Sequence, residues 1–298
     1  MLNRNLAQSE LNILHATHLS QFPWLVHGFS TRAGGFSRVY GKNALNLGLT
    51  KDDSGAAVGR NRAKFLSKLG VTGEAGTGSH PLALVTLRQV HSDIIRFVDS
   101  PGEPQQAGDG LMTATPGLLL AIQTADCLPI ILVDPKRRAV GVFHAGWRGT
   151  LNRIVEKGVG EMRRYFGSRA RDLKAAIGPG IHSCCYEVGQ EVRDQFASQF
   201  VYAAKLFREI EDADPVREKY PMLFLTARAP GHSDLPKRIF LDLAEANRQQ
   251  LLAVGLPAKG IEASPLCTYC RTDLLFSYRA EKGRTGRMMG VVGMRARS

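Results

Sequence analysis

Apolar residues concentrate in the middle of this 298-residue chain. Three β-prone runs, 118–122, 128–133 and 139–143, lie within one stretch, G-L-L-L-A-I-Q-T-A-D-C-L-P-I-I-L-V-D-P-K-R-R-A-V-G-V-F-H-A-G-W-R-G-T. Continuous apolar runs of this length predict buried strands. The first two flank Cys127, and the third delivers His144 to a glycine-rich turn. Asp126 places a charge between runs that otherwise read as core, which requires a compensating partner.

Around this centre the periodicity alternates between helix and strand. Apolar positions 58, 65, 66 and 69 predict an amphipathic helix closed by Gly70. Ile154, Val155, Val159, Met162 and Phe166 share one face of a predicted helix over 151–166, with Thr150 as its N-cap. Further helices are expected over 187–200 and 242–254. Strands are expected over 82–87, 94–98, 173–177, the aromatic run 274–278, and about 288–294. Residues 201–238 read as loops around a short apolar piece at 222–225. The Gly34-Gly35 pair reads as a tight turn or a ligand-facing loop. No repeat or linker interrupts the chain, so one domain over 1–298 is expected. Strands and helices mix without strict alternation, which favours an α+β fold or a layered sandwich over a doubly wound one.

Composition adds that 44% of residues are hydrophobic, enough for a sizeable core. Lysine and arginine total 39 against 27 acidic residues, a formal charge of +12 that favours anionic ligands. The densest basic groups, K-R-R at 136–138 and R-R at 163–164, do not form the long stripe of a nucleic-acid reader, so no nucleic-acid partner is expected. The opening residues carry no apolar signal core, and no apolar run is long enough to cross a bilayer. A soluble, cytoplasmic protein without a membrane span is expected, either monomer or dimer.

His91, Cys127 and His144 each lie at or just beyond the end of a strand-like run, so three side chains can meet at one sheet edge. Two imidazoles and a thiolate suit zinc, and also copper. Three protein ligands leave a fourth position open, the pattern of a catalytic zinc. The bland alternative is a strand-capping histidine and a small buried cysteine. Cys267 and Cys270 form a C-x-x-C for which the only second pair of thiols is the adjacent Cys184 and Cys185, so reduced packing thiols are favoured over a structural zinc. G-D-G at 108–110 and G-P-G-I-H at 178–182 are candidate backbone-donor loops for phosphate, although neither matches a known phosphate motif.

Taken together, R-Q-V-H, G-D-G-L-M-T, T-A-D-C-L-P-I, F-H-A-G-W-R-G, C-C-Y-E-V-G, L-D-L-A-E-A-N, C-T-Y-C and F-S-Y-R-A-E-K-G-R-T-G-R resemble the YfiH/laccase-domain family, in order and over nearly the whole chain. The resemblance implies a layered α/β/β/α sandwich with mixed sheets and one zinc held by His91, Cys127 and His144. It implies phosphorolysis of adenosine, inosine and S-methyl-5′-thioadenosine, with purine nucleosides and inorganic phosphate as partners. Adenosine deamination at the same site and a role in editing peptidoglycan precursors are also ascribed to the family. The chain departs from the pattern at Gly180, where the family often has cysteine, in a loop one residue longer at 40–48, and in a longer segment over 208–238.

On this reading Asp126 is a candidate proton shuttle or ligand orienter, and Arg32 and Arg148 are candidate phosphate contacts. The rivals are a copper oxidase, a hydrolase with Cys127 as nucleophile and His144 as base, and a binding protein in envelope maintenance. Eight histidines without one H-x-H disfavour the copper oxidase.

Overall fold

The computed structural model describes residues 10–73, 81–101, 106–211 and 237–296. The chain divides into two compact units, Met1–His182 with Leu243–Ser298, and Ser183–Asp242.

The larger unit holds two mixed sheets. One orders its strands Ile13–Leu14, Leu25–Ser30, Met288–Met294, Leu118–Thr124 and Ala83–Thr86. The other orders Ile261–Ala263, Lys174–Ile177, Leu128–Asp134, Ala139–Ala145, Gly110–Thr113 and Ile95–Phe97. Alternation along a strand divides the apolar residues between two cores. Leu120 and Ile122 meet Ile131, Val133, Val140 and Val142 in the core shared by the sheets. Leu119 and Ala121 point the other way, into a second core with Phe65 of helix Gly55–Lys68. That helix starts where the Ser54 hydroxyl accepts the Ala57 amide.

Helix Ile154–Phe166 covers the outer face of the six-stranded sheet through its buried residues Ile154, Val155, Val159 and Met162. Gly158 is required there: a Cβ at that position would lie 2.6 Å from the Phe143 ring. The result is the expected α+β fold, a helix–sheet–sheet–helix sandwich within this unit. The smaller unit carries a three-stranded antiparallel sheet, Glu187–Val188, Lys237–Leu241 and Phe207–Glu211, and helix Gln190–Gln199.

Several local expectations need correction. The helix expected over 151–166 is two helices, Trp147–Leu151 and Ile154–Phe166, because Arg153 takes a left-handed conformation, φ 61°, between them. Thr150 is therefore inside the first helix and is not an N-cap. Its buried hydroxyl accepts the Asn247 side-chain amide instead. Residues 274–278 form turns, not a strand, yet Leu274, Leu275 and Phe276 are core. The segment over 187–200 begins as a short strand before its helix. Gly34 and Gly35 lie in strand Ala33–Ser37, and a Cβ on either would fall within 2.3 Å of backbone atoms, at Leu11 and Ala44 respectively. Close packing, not ligand approach, accounts for the pair. The 222–225 piece lies outside the described residues.

Candidate metal centre

Strands Leu128–Asp134 and Ala139–Ala145 form an antiparallel pair whose register sets Leu128 opposite Ala145 and Pro129 opposite His144. Cys127 immediately precedes the first strand, so this register carries it to His144 across 17 residues of sequence. His91 arrives from the loop after strand Ala83–Thr86, with a left-handed backbone at φ 57°. The ligand atoms of His91, Cys127 and His144 all lie within 4.8 Å of one another. The two imidazoles meet edge to face with centroids 4.9 Å apart. Gly146 makes room for them, since a Cβ there would stand 2.9 Å from the Cys127 sulfur and 3.5 Å from the His91 ring.

Asp109 organises this cluster from behind. Its carboxylate is fully buried, and its Oδ1 lies 2.8 Å from His144 Nδ1. The same oxygen accepts the His91 amide, and Oδ2 accepts the Val90 and Ser92 amides and the Ser92 hydroxyl. One carboxylate thus shapes the turn that presents His91 and fixes the ring of His144. With Nδ1 engaged, His144 has Nε2 left for a ligand. Carboxylate–histidine pairs of this kind orient metal-binding imidazoles. The G-D-G motif therefore serves through its side chain, and Gly110 opens strand Gly110–Thr113.

Burial alone would raise the Cys127 thiol. The charge on His144 and hydrogen bonds from His144 and His91 overcome it and bring the thiol down to about 6. Burial would lower His144, but the Cys127 charge and the Asp109 hydrogen bond lift it to about 9. Burial would also raise Asp109, yet His144 and the Ser92 donors hold it at about 2. A poised thiolate and imidazoles with a buried carboxylate behind them fit a soft divalent ion such as zinc.

The other candidates have different surroundings. Asp126 is buried at φ 90°; its Oδ1 accepts the Thr268 hydroxyl at 2.6 Å and its Oδ2 the Arg279 amide at 2.6 Å. Its carboxylate ties the segment before Cys127 to the C-terminal turns. The Arg32 guanidinium donates to the carbonyls of Thr272 and Tyr40, pairs with Glu281 at 3.0 Å, and stacks on Phe276. Arg148 is exposed and lies over the ring of Trp147, two residues after the Gly146 that borders the cluster. The amides of the G-P-G-I-H loop serve the fold: Gly178 donates to Pro129 and Ile181 to Asp126. A Cβ at Gly180 would sit 2.5 Å from Leu128, so the family's cysteine needs a shifted neighbour here. Cys267 is buried and accepts the His182 amide, while Cys270 is exposed. Asp109 is the functional residue that sequence reasoning missed, and its one sequence signal is an acid at the mouth of an apolar strand.

No helix among the described residues is long and apolar enough to cross a membrane. The profile of the family described as multi-copper polyphenol oxidoreductase laccase matches residues 26–295. A purine nucleoside phosphorylase of Deinococcus radiodurans is 36% identical, over 95% of this chain and 93% of that protein. A protein from an unknown prokaryotic organism, named adenosine deaminase RL5, is 33% identical over 88% and 91%. The crystal structure of YlmD from Geobacillus stearothermophilus superimposes with a TM-score of 0.76 at 32% identity, covering 99% of both chains. That of YfiH from Bacillus licheniformis gives 0.76 at 33%, covering 97% of both. By the span of the profile and the level of identity, the chain belongs to the YfiH/laccase-domain family.

Proposed function

We propose that this chain is a zinc-dependent purine nucleoside phosphorylase. It acts on adenosine, inosine and S-methyl-5′-thioadenosine, releasing the base and a ribose 1-phosphate, and it deaminates adenosine at the same site. The observation that carries this reading is the convergence of His91, Cys127 and His144 within 4.8 Å, backed by buried Asp109, in a chain whose relatives bear these activities in their names.

His91, Cys127 and His144 would hold the zinc, which when bound would supply a Lewis acid. Asp109 keeps the His144 proton on Nδ1 and the ring in place. Arg148 is the arginine to meet phosphate, being exposed two residues after the Gly146 that borders the cluster, with its guanidinium on an indole face. Arg32 has its donors turned to carbonyls and Glu281, and takes no part in this reading. Asp126 acts as a brace and not as a proton shuttle, because both carboxylate oxygens already accept hydrogen bonds.

Chromatography of the products from adenosine, with and without phosphate, tests the reading. Adenine and ribose 1-phosphate appearing only with phosphate support the phosphorylase, and inosine forming in its absence supports the deaminase. Neither product from a metal-loaded preparation refutes both. A hydrolase with Cys127 as nucleophile has one observation in its favour, the thiol lowered to about 6 beside His144. Full activity in metal-free protein, including cleavage of amide bonds in peptidoglycan precursors, would establish that alternative instead.

A further inference from the structure

The two densest basic groups of the sequence, 136–138 and 163–164, fold onto one surface. Residues 136–138 form the turn between strands Leu128–Asp134 and Ala139–Ala145, the end of that hairpin opposite Cys127 and His144. Seven residues of strand separate the two ends by roughly 20 Å. The Asp134 carboxylate shapes the turn by accepting the Lys136 and Arg137 amides. Arg138 is drawn onto the Trp24 ring and Lys136 onto Asp172, while Arg137 reaches within 3.9 Å of a Cβ built on Gly167.

Gly167 borders an open cavity of about 930 Å³ lined by Arg163, Arg169 and Arg171. Its lining also includes the apolar Val159, Ala170 and Val254, and Ser168, whose buried hydroxyl has no partner. Three arginines thus line one concavity and Arg137 adjoins its Gly167 edge, and none of the four is in an ion pair among the described residues. Arg164, by contrast, turns to Glu161 and Tyr165. One acid, Glu156, lines the cavity and is paired with Arg153, while Asp172 is paired with Lys136 and also lies in the field of Arg171 and Arg169.

We infer that this cavity binds a small molecule bearing a polyphosphate, with the guanidiniums of Arg137, Arg163, Arg169 and Arg171 on its phosphates. Guanidinium forks match phosphate oxygens two at a time, and several around one concavity favour adjacent phosphates over a single one. The volume lies in the range of small-molecule sites, and the apolar side chains of the lining accept an attached nucleoside. A free polyphosphate shares the same chemistry.

Calorimetric titration of the metal-loaded full chain tests this, with ATP, tripolyphosphate and adenosine as separate ligands. ATP is expected to bind one per chain, more weakly as salt rises. Binding is expected to fall at least tenfold in the Arg169→Ser/Arg171→Ser double variant and to persist in Cys127→Ala. Equal binding of tripolyphosphate and ATP assigns recognition to the phosphates alone, and tighter ATP binding gives the apolar lining residues their role. Failure of ATP and tripolyphosphate to bind at millimolar concentration overturns the inference. So does unchanged affinity in the double variant, or loss in Cys127→Ala, which would place the ligand at the metal centre. Adenosine turnover by the double variant stays at the wild-type rate, a readout independent of the titration.

Discussion

Replacing Asp126 separates a brace from a proton carrier. Its two carboxylate oxygens accept 2.6 Å hydrogen bonds from the Thr268 hydroxyl and the Arg279 amide. A hydrogen bond to a charged group contributes about 1.5–3 kcal/mol, and loss of the acceptor strands a Thr268 that is fully buried. The two losses share one side chain and do not add in full, so Asp126→Ala removes roughly 3 kcal/mol. The φ of 90° adds roughly 1 kcal/mol more for alanine, whereas asparagine tolerates it better. Urea denaturation read by fluorescence gives the stability, and adenosine turnover at 25 °C gives kcat on the fraction that remains folded. The expected result is a destabilised Asp126→Ala and an Asp126→Asn whose kcat stays within about tenfold of wild type. Loss of a general acid–base group costs about 10²–10⁴ in rate. A kcat loss of that size in Asp126→Asn, with stability unchanged, would refute the brace and restore the shuttle.

Two further outcomes follow from buried polar groups. Asp109→Asn puts an amide nitrogen where Val90, Ser92 or His144 needs an acceptor; zinc affinity, measured by chelator competition, should weaken by about 10–100-fold, and wild-type affinity would show that Asp109 does not orient the ligands. His27 is held at about 4 by burial, then by the charge of His15, against about 6.5 when exposed, so the unfolded state takes up its proton first and stability falls as pH drops from about 6.5 to about 4, by up to ~3 kcal/mol. Urea midpoints for wild type and His27→Gln across that window check this, and parallel curves for the two proteins would contradict it.

The sandwich was legible where hydrophobic patterning is continuous. Runs 118–122, 128–133 and 139–143 are buried strands at the expected places, and the strand ends that suggested Cys127 and His144 do meet. What stayed hidden depends on contacts distant in sequence. Asp109 reaches His144 across 35 residues, so nothing near G-D-G distinguishes a turn acid from a buried orienter. The αL break at Arg153 sits inside an unbroken amphipathic pattern, and the core residues 274–276 are apolar without being strand. The arginines at 32 and 148 look alike in sequence, each within two residues of a glycine. Only the fold shows that one is clamped by Thr272, Tyr40 and Glu281 while the other lies exposed on Trp147.

On the proposed function, one metal ion held by His91, Cys127 and His144 is required for nucleoside cleavage. The most direct measurement is metal content by mass spectrometry beside phosphate-dependent adenine release, for wild type, His91→Ala, Cys127→Ala and His144→Ala. About one zinc per wild-type chain is expected, with loss of metal and activity together in all three variants while circular dichroism stays native. Copper in place of zinc, or adenine release that survives in metal-free wild type, would contradict it.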